Sequence, residues 1–176
     1  MRALLASVLS GALLLSLGGC GLKPLYAGGG SGPVAVGLSE IEVAPIPGRS
    51  ALATSHPLRD RLGVSGKQGP KRYRLEVRLD DEITGLAIRR DDSVARERRT
   101  LRARYQLVEI GGGGEGQGEG VVLDATAGSD AGIDVVGSEY ATIAAEATAL
   151  ERLSDVVADQ IVTRIALYMD RAQPAP

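Results

Sequence analysis

The chain has no phenylalanine, no tryptophan, one histidine and one cysteine in 176 residues. Each scarcity excludes a class of function. Five tyrosines are the only aromatics, so stacking platforms for single-stranded nucleic acid are missing. A net charge of -2 excludes a strongly basic nucleic-acid binder by composition. His56, beside Pro57, has no second histidine or thiol with which to form a nucleophile-base pair, so it reads as structural and no enzyme is expected. Asp80-Asp81-Glu82 and Asp91-Asp92 lack the spaced ligands and turn glycine of a calcium loop. They read as solvated strand ends, and neither metal nor cofactor is expected. Val, Leu, Ile, Ala and Tyr must build the core.

What the chain does have is an apolar run, Leu4 to Leu17, preceded by Arg2 and followed by Gly18-Gly19-Cys20. These are the three parts of an export signal, and the run is shorter than the roughly 20 residues of a membrane span. Small residues before the cysteine resemble the lipobox of bacterial lipoproteins, which makes Cys20 the lipidation site. Several acyl chains anchor firmly, unlike a single one. Gly21 stands where sorting rules place aspartate for inner-membrane retention, so outer-membrane delivery is expected. Cleavage after residue 19 leaves about 157 residues, enough for one domain with a real core. Residues 20–33 carry Gly, Ser and Pro without periodicity and read as a flexible tether. The domain then spans 34–172, and 173–176 reads as a disordered tail.

Leu38 to Ile46 alternates and ends at Pro45 and Pro47, which predicts a first strand. Leu52, Leu58 and Leu62 suggest a helix that starts near Ser55 or kinks there, since Pro57 suits a first turn. Tyr73, Leu75, Val77 and Leu79 alternate with Arg72, Arg74, Glu76 and Arg78. The same period returns in Leu101 to Leu107 and, more weakly, in Val121 to Ala125. Between the last two lies a Gly-rich acidic loop, 111–120, whose G-x-G-x-x-G match is a product of composition, with no helix after it. From Glu139 to Arg171 the pattern is helical, with Ile143, Ala147, Leu150, Val157, Ile161, Ile165 and Tyr168 on one stripe and Ser138 as N-cap. Such a helix is about 48 Å long and expected to bend or fray.

The order β-α-β-β-β-α predicts an α+β fold, with two helices packed on one face of a mostly antiparallel four-stranded sheet. Arg72, Arg74, Arg78, Arg102 and Arg104 then share the other face, with Glu76 as the nearby acid and Arg96, Arg98 and Arg99 at the margin. Such a face is either solvated and internally paired or an anion-recognition surface, because arginine presents a bidentate fork to phosphate.

Cys20-Gly21-Leu22-Lys23-Pro24-Leu25-Tyr26, Ile41-Glu42-Val43, Tyr73-Arg74-Leu75-Glu76-Val77, Arg104-Tyr105-Gln106-Leu107 and Ser138-Glu139-Tyr140-Ala141 follow one another in an order and spacing similar to those of the LptE lipoproteins of lipopolysaccharide assembly. Ala145-Glu146-Ala147, Asp159-Gln160-Ile161 and Arg164-Ile165 extend the match, and the chain resembles the alphaproteobacterial members over nearly its whole mature length. It departs at Leu22, where the family has an aromatic, at the Gly-rich loop and at Pro57. The resemblance implies a non-enzymatic protein seated inside an LptD-like outer-membrane β-barrel, helping it assemble and engaging lipopolysaccharide. It transfers no particular binding residue. An auxiliary lipoprotein scaffold of an ABC-type lipid transport system would share the anchor and the α+β reading, and a lipid-anchored hydrolase would need the nucleophile-base pair missing above.

Overall fold

Period-two alternation continues well past the segments in which it is obvious, and it sets the length of the sheet. The computed structural model describes residues 24–25, 28–63, 70–88, 94–110, 120–135 and 138–172. The signal segment, Cys20, Asp91-Asp92, the Gly-rich tract 111–119 and the tail 173–176 lie outside these residues. A 3-10 turn, Gly29–Ser31, leads into helix α1 (Pro33–Ser39). Strand β1 (Ile41–Val43) and helix α2 (Ala51–Gly63) follow, then strands β2 (Tyr73–Ile88), β3 (Val94–Glu109) and β4 (Gly120–Asp134), and helix α3 (Glu139–Ala172).

The α+β class and the four strands match the expectation, while the sheet is mixed and, among the described residues, three helices rather than two accompany it. The order is β1-β2-β3-β4, with β1 parallel to β2 and the other pairs antiparallel. A parallel neighbour requires a crossover, and α2 supplies it; β2 to β4 form a meander. The additional helix, α1, occupies the start of the segment read as a strand: Leu38 and Ser39 are helical, and the strand is only Ile41–Val43. Pro33 at the first helical position presets φ for the helix, and Lys71 Nζ donates to the Ser39 carbonyl at 2.8 Å near its end. Pro45 ends β1 because it cannot donate to the ladder.

Helix α2 begins at Ala51, four residues before the expected start, after Gly48 turns the chain at a φ of 103°. Pro57 sits inside it, removing the N–H that would bond the Ala53 carbonyl. Burial of Thr54, Leu58 and Leu62 offsets that loss, and the Thr54 hydroxyl lies 3.1 Å from that of Ser154 on α3.

One core joins the helices to one sheet face. Leu75, Val77, Leu101, Ala103, Tyr105 and Leu107 meet Leu58 and Leu62 of α2 and Leu153, Val157, Ile161 and Ile165 of α3. Gly37 lets α1 close on α3, since a Cβ there would stand 3.3 Å from Met169 Sδ. The stripe on α3 differs from the expected one. Burial begins at Ala149 and runs through Met169, while Ile143 is 55% exposed, because the first turns of this long helix lie beyond the core.

Candidate open-face site

The sheet face away from the helices is built from every second residue of β2, β3 and β4. Register brings Glu76, Gln106 and Asp124 into one row, Arg78, Arg104 and Thr126 into the next, and Asp80, Arg102 and Gly128 into a third. Arg78 and Arg104 are thus direct cross-strand neighbours, an arrangement of like charges that costs stability. Arg102 sits one row away. Gly128 makes room for it: a Cβ at 128 would come within 3.3 Å of Arg102 Cγ and of the Leu101 carbonyl.

The five arginines singled out from sequence do not behave alike. Arg72 precedes β2, bonds Glu109 at 3.1 Å and lies 5.4 Å from the Tyr73 ring centroid. Arg74 Nε donates to Glu76 at 3.1 Å. Arg104 donates to Asp124 at 3.1 Å, and Gln106 donates to the same carboxylate oxygen at 2.9 Å. These two hydrogen bonds, Arg104's first, hold the Asp124 carboxyl below its ordinary range, and the same contact raises the Arg104 guanidinium. Arg78 and Arg102 form no ion pair among the described residues. Together with Arg104, Asp80, Thr126, Asp130 and Gln160 they line a groove of about 740 Å³ across the open face.

Glu76 is not the only acid here. Strand β2 continues into Asp80 and Glu82, and β4 contributes Asp124, Asp130 and Asp134, all on the same side of its pleat. Arg98 approaches Asp130 at 3.6 Å and Arg96 bonds Asp134 at 2.9 Å. The face is therefore a charge mosaic in which Arg78 and Arg102 are the cations without an ion pair among the described residues, beside an Arg104 held by Asp124. Sequence reading missed the β4 acids because it followed alternation only to Ala125; the repeat of Asp124, Asp130 and Asp134 on one parity was the available signal.

Arg99, placed at the margin of that face, points to the other side. Its Nε and NH2 hold Asp81 at 2.8 and 2.6 Å, and NH1 reaches the Glu146 carbonyl of α3 at 2.8 Å. The Ser50 hydroxyl also donates to Asp81. Arg99's hydrogen bond and then Ser50's keep the Asp81 carboxyl below the usual aspartate value. The acid run 80–82 is split by the pleat, with Asp81 under the helices and its neighbours outside. His56 lies exposed on α2. Among the described residues no three His, Cys, Asp or Glu side chains gather to hold a metal, and no helix is long and apolar enough to cross a membrane.

The model of the LptE family, described as lipopolysaccharide-assembly, matches residues 38–165. A candidate lipoprotein from Caulobacter crescentus has a similar structure, with a TM-score of 0.65 and 23% identity over 82% of this chain and 100% of its own. Rare lipoprotein B from Shewanella oneidensis follows at 0.53 and 12%, covering 74% of this chain and 95% of its own. A minor lipoprotein from Acinetobacter baumannii gives 0.53 and 16%, covering 73% and 92%. At these identities the structures share the fold. No curated protein sequence matches the chain.

Proposed function

We propose, from the premise that the chain belongs to the LptE family of lipopolysaccharide-assembly proteins, that it is an outer-membrane lipoprotein seated in an LptD-like β-barrel, where it helps the barrel assemble and touches lipopolysaccharide through its open sheet face. LptE proteins are non-enzymatic lipoproteins that act with LptD in lipopolysaccharide transport. Acylation of Cys20 provides the anchor, and the segment behind it gives the domain reach.

The observation that carries the anionic-ligand part is the row pairing Arg78 with Arg104, next to an unpaired Arg102. Like charges placed opposite each other cost energy in the free protein. A phosphate bridging their guanidinium forks removes that cost and adds charge-assisted hydrogen bonds. Lipid A phosphates have this chemistry. The polar outer surface of the sheet also suits the polar interior of a large barrel.

A detergent pull-down of the full-length tagged protein from outer membranes tests the partner. Stoichiometric recovery of a large β-barrel protein is expected, and recovery of permease subunits would move the protein to an ABC-type lipid transport scaffold. Lipopolysaccharide binding by the parent and by the Arg78→Ala/Arg102→Ala variant tests the face. A folded variant that binds as well as the parent refutes it.

A further inference from the structure

Strand β4 is a sheet edge 15 residues long, and natural edges of that length are usually guarded by lysine, proline or bulges. This one has neither lysine nor proline, and its register with β3 runs unbroken from Leu123 to Asp134. Among the described residues one side chain guards its middle. Gln160 of α3 accepts from the Gly128 N–H at 3.0 Å and donates to the Gly128 carbonyl at 3.3 Å, so its amide imitates one peptide unit of a fifth strand. Because Gly128 presents its backbone outward, the antiparallel ladder turns the N–H and C=O groups of Thr126, Asp130 and Gly132 the same way. Among the described residues these find no partner.

The helix beside this edge is unfinished too. Val156 and Leu167 share Gln160's stripe on α3 by helical spacing, and they remain 42% and 38% exposed. On the other side of the edge β4 carries Asp124, Asp130 and Asp134 and no cation of its own; each carboxylate is held by a β3 arginine on one flank and faces the vacant strand position on the other.

We propose that the β4 edge is a docking site for an extended strand of a partner protein, one whose side chains alternate apolar and basic. Its backbone pairs with β4 and displaces Gln160. Its apolar side chains turn toward Val156 and Leu167, and its basic ones lie across from the β4 aspartates. A second copy of this chain is disfavoured as the occupant, because its β4 brings only more aspartate. Gln160 is the placeholder that keeps the centre of the edge paired until the strand arrives.

Hydrogen exchange on the full-length protein in detergent tests this with synthetic peptides of about ten residues. An alternating Val-Lys peptide is expected to slow exchange of the Thr126, Asp130 and Gly132 amides. Its N-methylated form, which cannot pair, does not. Gln160→Ala removes the internal competitor and tightens binding about fivefold, the equivalent of one hydrogen bond. The proposal is overturned if neither parent nor variant is protected, or if a Val-Glu peptide protects equally. It is equally overturned if protection rises with protein concentration in the absence of peptide, which identifies a second copy as the occupant.

Discussion

Arg99 and Asp81 show how one ion pair organises several elements. Their side chains are only 12% and 17% exposed, and Arg99 also reaches the Glu146 carbonyl while Asp81 accepts from Ser50. Asp81→Asn leaves a largely buried guanidinium underbonded and is expected to cost about 1–3 kcal/mol, read as a lower Tm. The Asp81 carboxyl titrates below the ordinary aspartate value of 3.8, chiefly through Arg99. A depressed native pKa favours the folded state above the unfolded value, and the contribution disappears as pH falls through the native one. Thermal melts from about pH 5 to about pH 3 should therefore show the parent losing stability faster than Asp81→Asn. Parallel loss in both proteins would mean that the pair contributes nothing. On the open face the sign is opposite. Replacing Arg78 by Gln relieves the like-charge contact with Arg104 and should leave Tm unchanged or slightly raised while weakening lipopolysaccharide binding.

At the scale of elements, α2 and α3 carry the departures from simple pattern reading. Pro57 lies seven residues into α2 and leaves the Ala53 carbonyl without its usual donor. Pro57→Ala restores that bond and is expected to stabilise by about 1–2 kcal/mol in chemical denaturation, less than the full proline penalty because the unfolded chain gains freedom. In α3 a pair of truncations locates the start of the buried stripe. Ile161→Ala opens a cavity in the core and should cost about 2–5 kcal/mol. Ile143→Ala, in the exposed first turns, should stay within about 0.5 kcal/mol. Equal costs would place the N-terminal turns of α3 against something in solution.

At the scale of the whole molecule, the domain is a sheet with one face covered by helices and one face open, and the proposed lipid anchor at Cys20 precedes it in sequence. Cys20→Ala should yield unacylated protein missing from the outer-membrane fraction, and mass spectrometry of the N-terminal peptide reads this directly. Normal acylated material from that variant would refute the anchor. The domain itself should melt unchanged, because the thiol contributes no disulfide.

By itself the sequence determined the class and the pleat. Alternation from Tyr73 to Leu79 and from Leu101 to Leu107 decides which side chains enter the core, since a one-residue slip would bury a row of arginines. Helical spacing from Val157 to Ile165 likewise fixed the inner side of α3. Tertiary structure alone decided which strands are neighbours and where each charge finds its partner. Periodicity carries no information about pairing, so the parallel docking of β1 and the aspartates that β4 brings beside Arg96, Arg98 and Arg104 emerge only when register is set. Arg99 makes the same point. The sequence reading set it at the margin of the open face, whereas the structure turns it to the covered side, where an arginine is tolerated because Asp81, eighteen residues away, is largely shielded beside it and satisfies its charge.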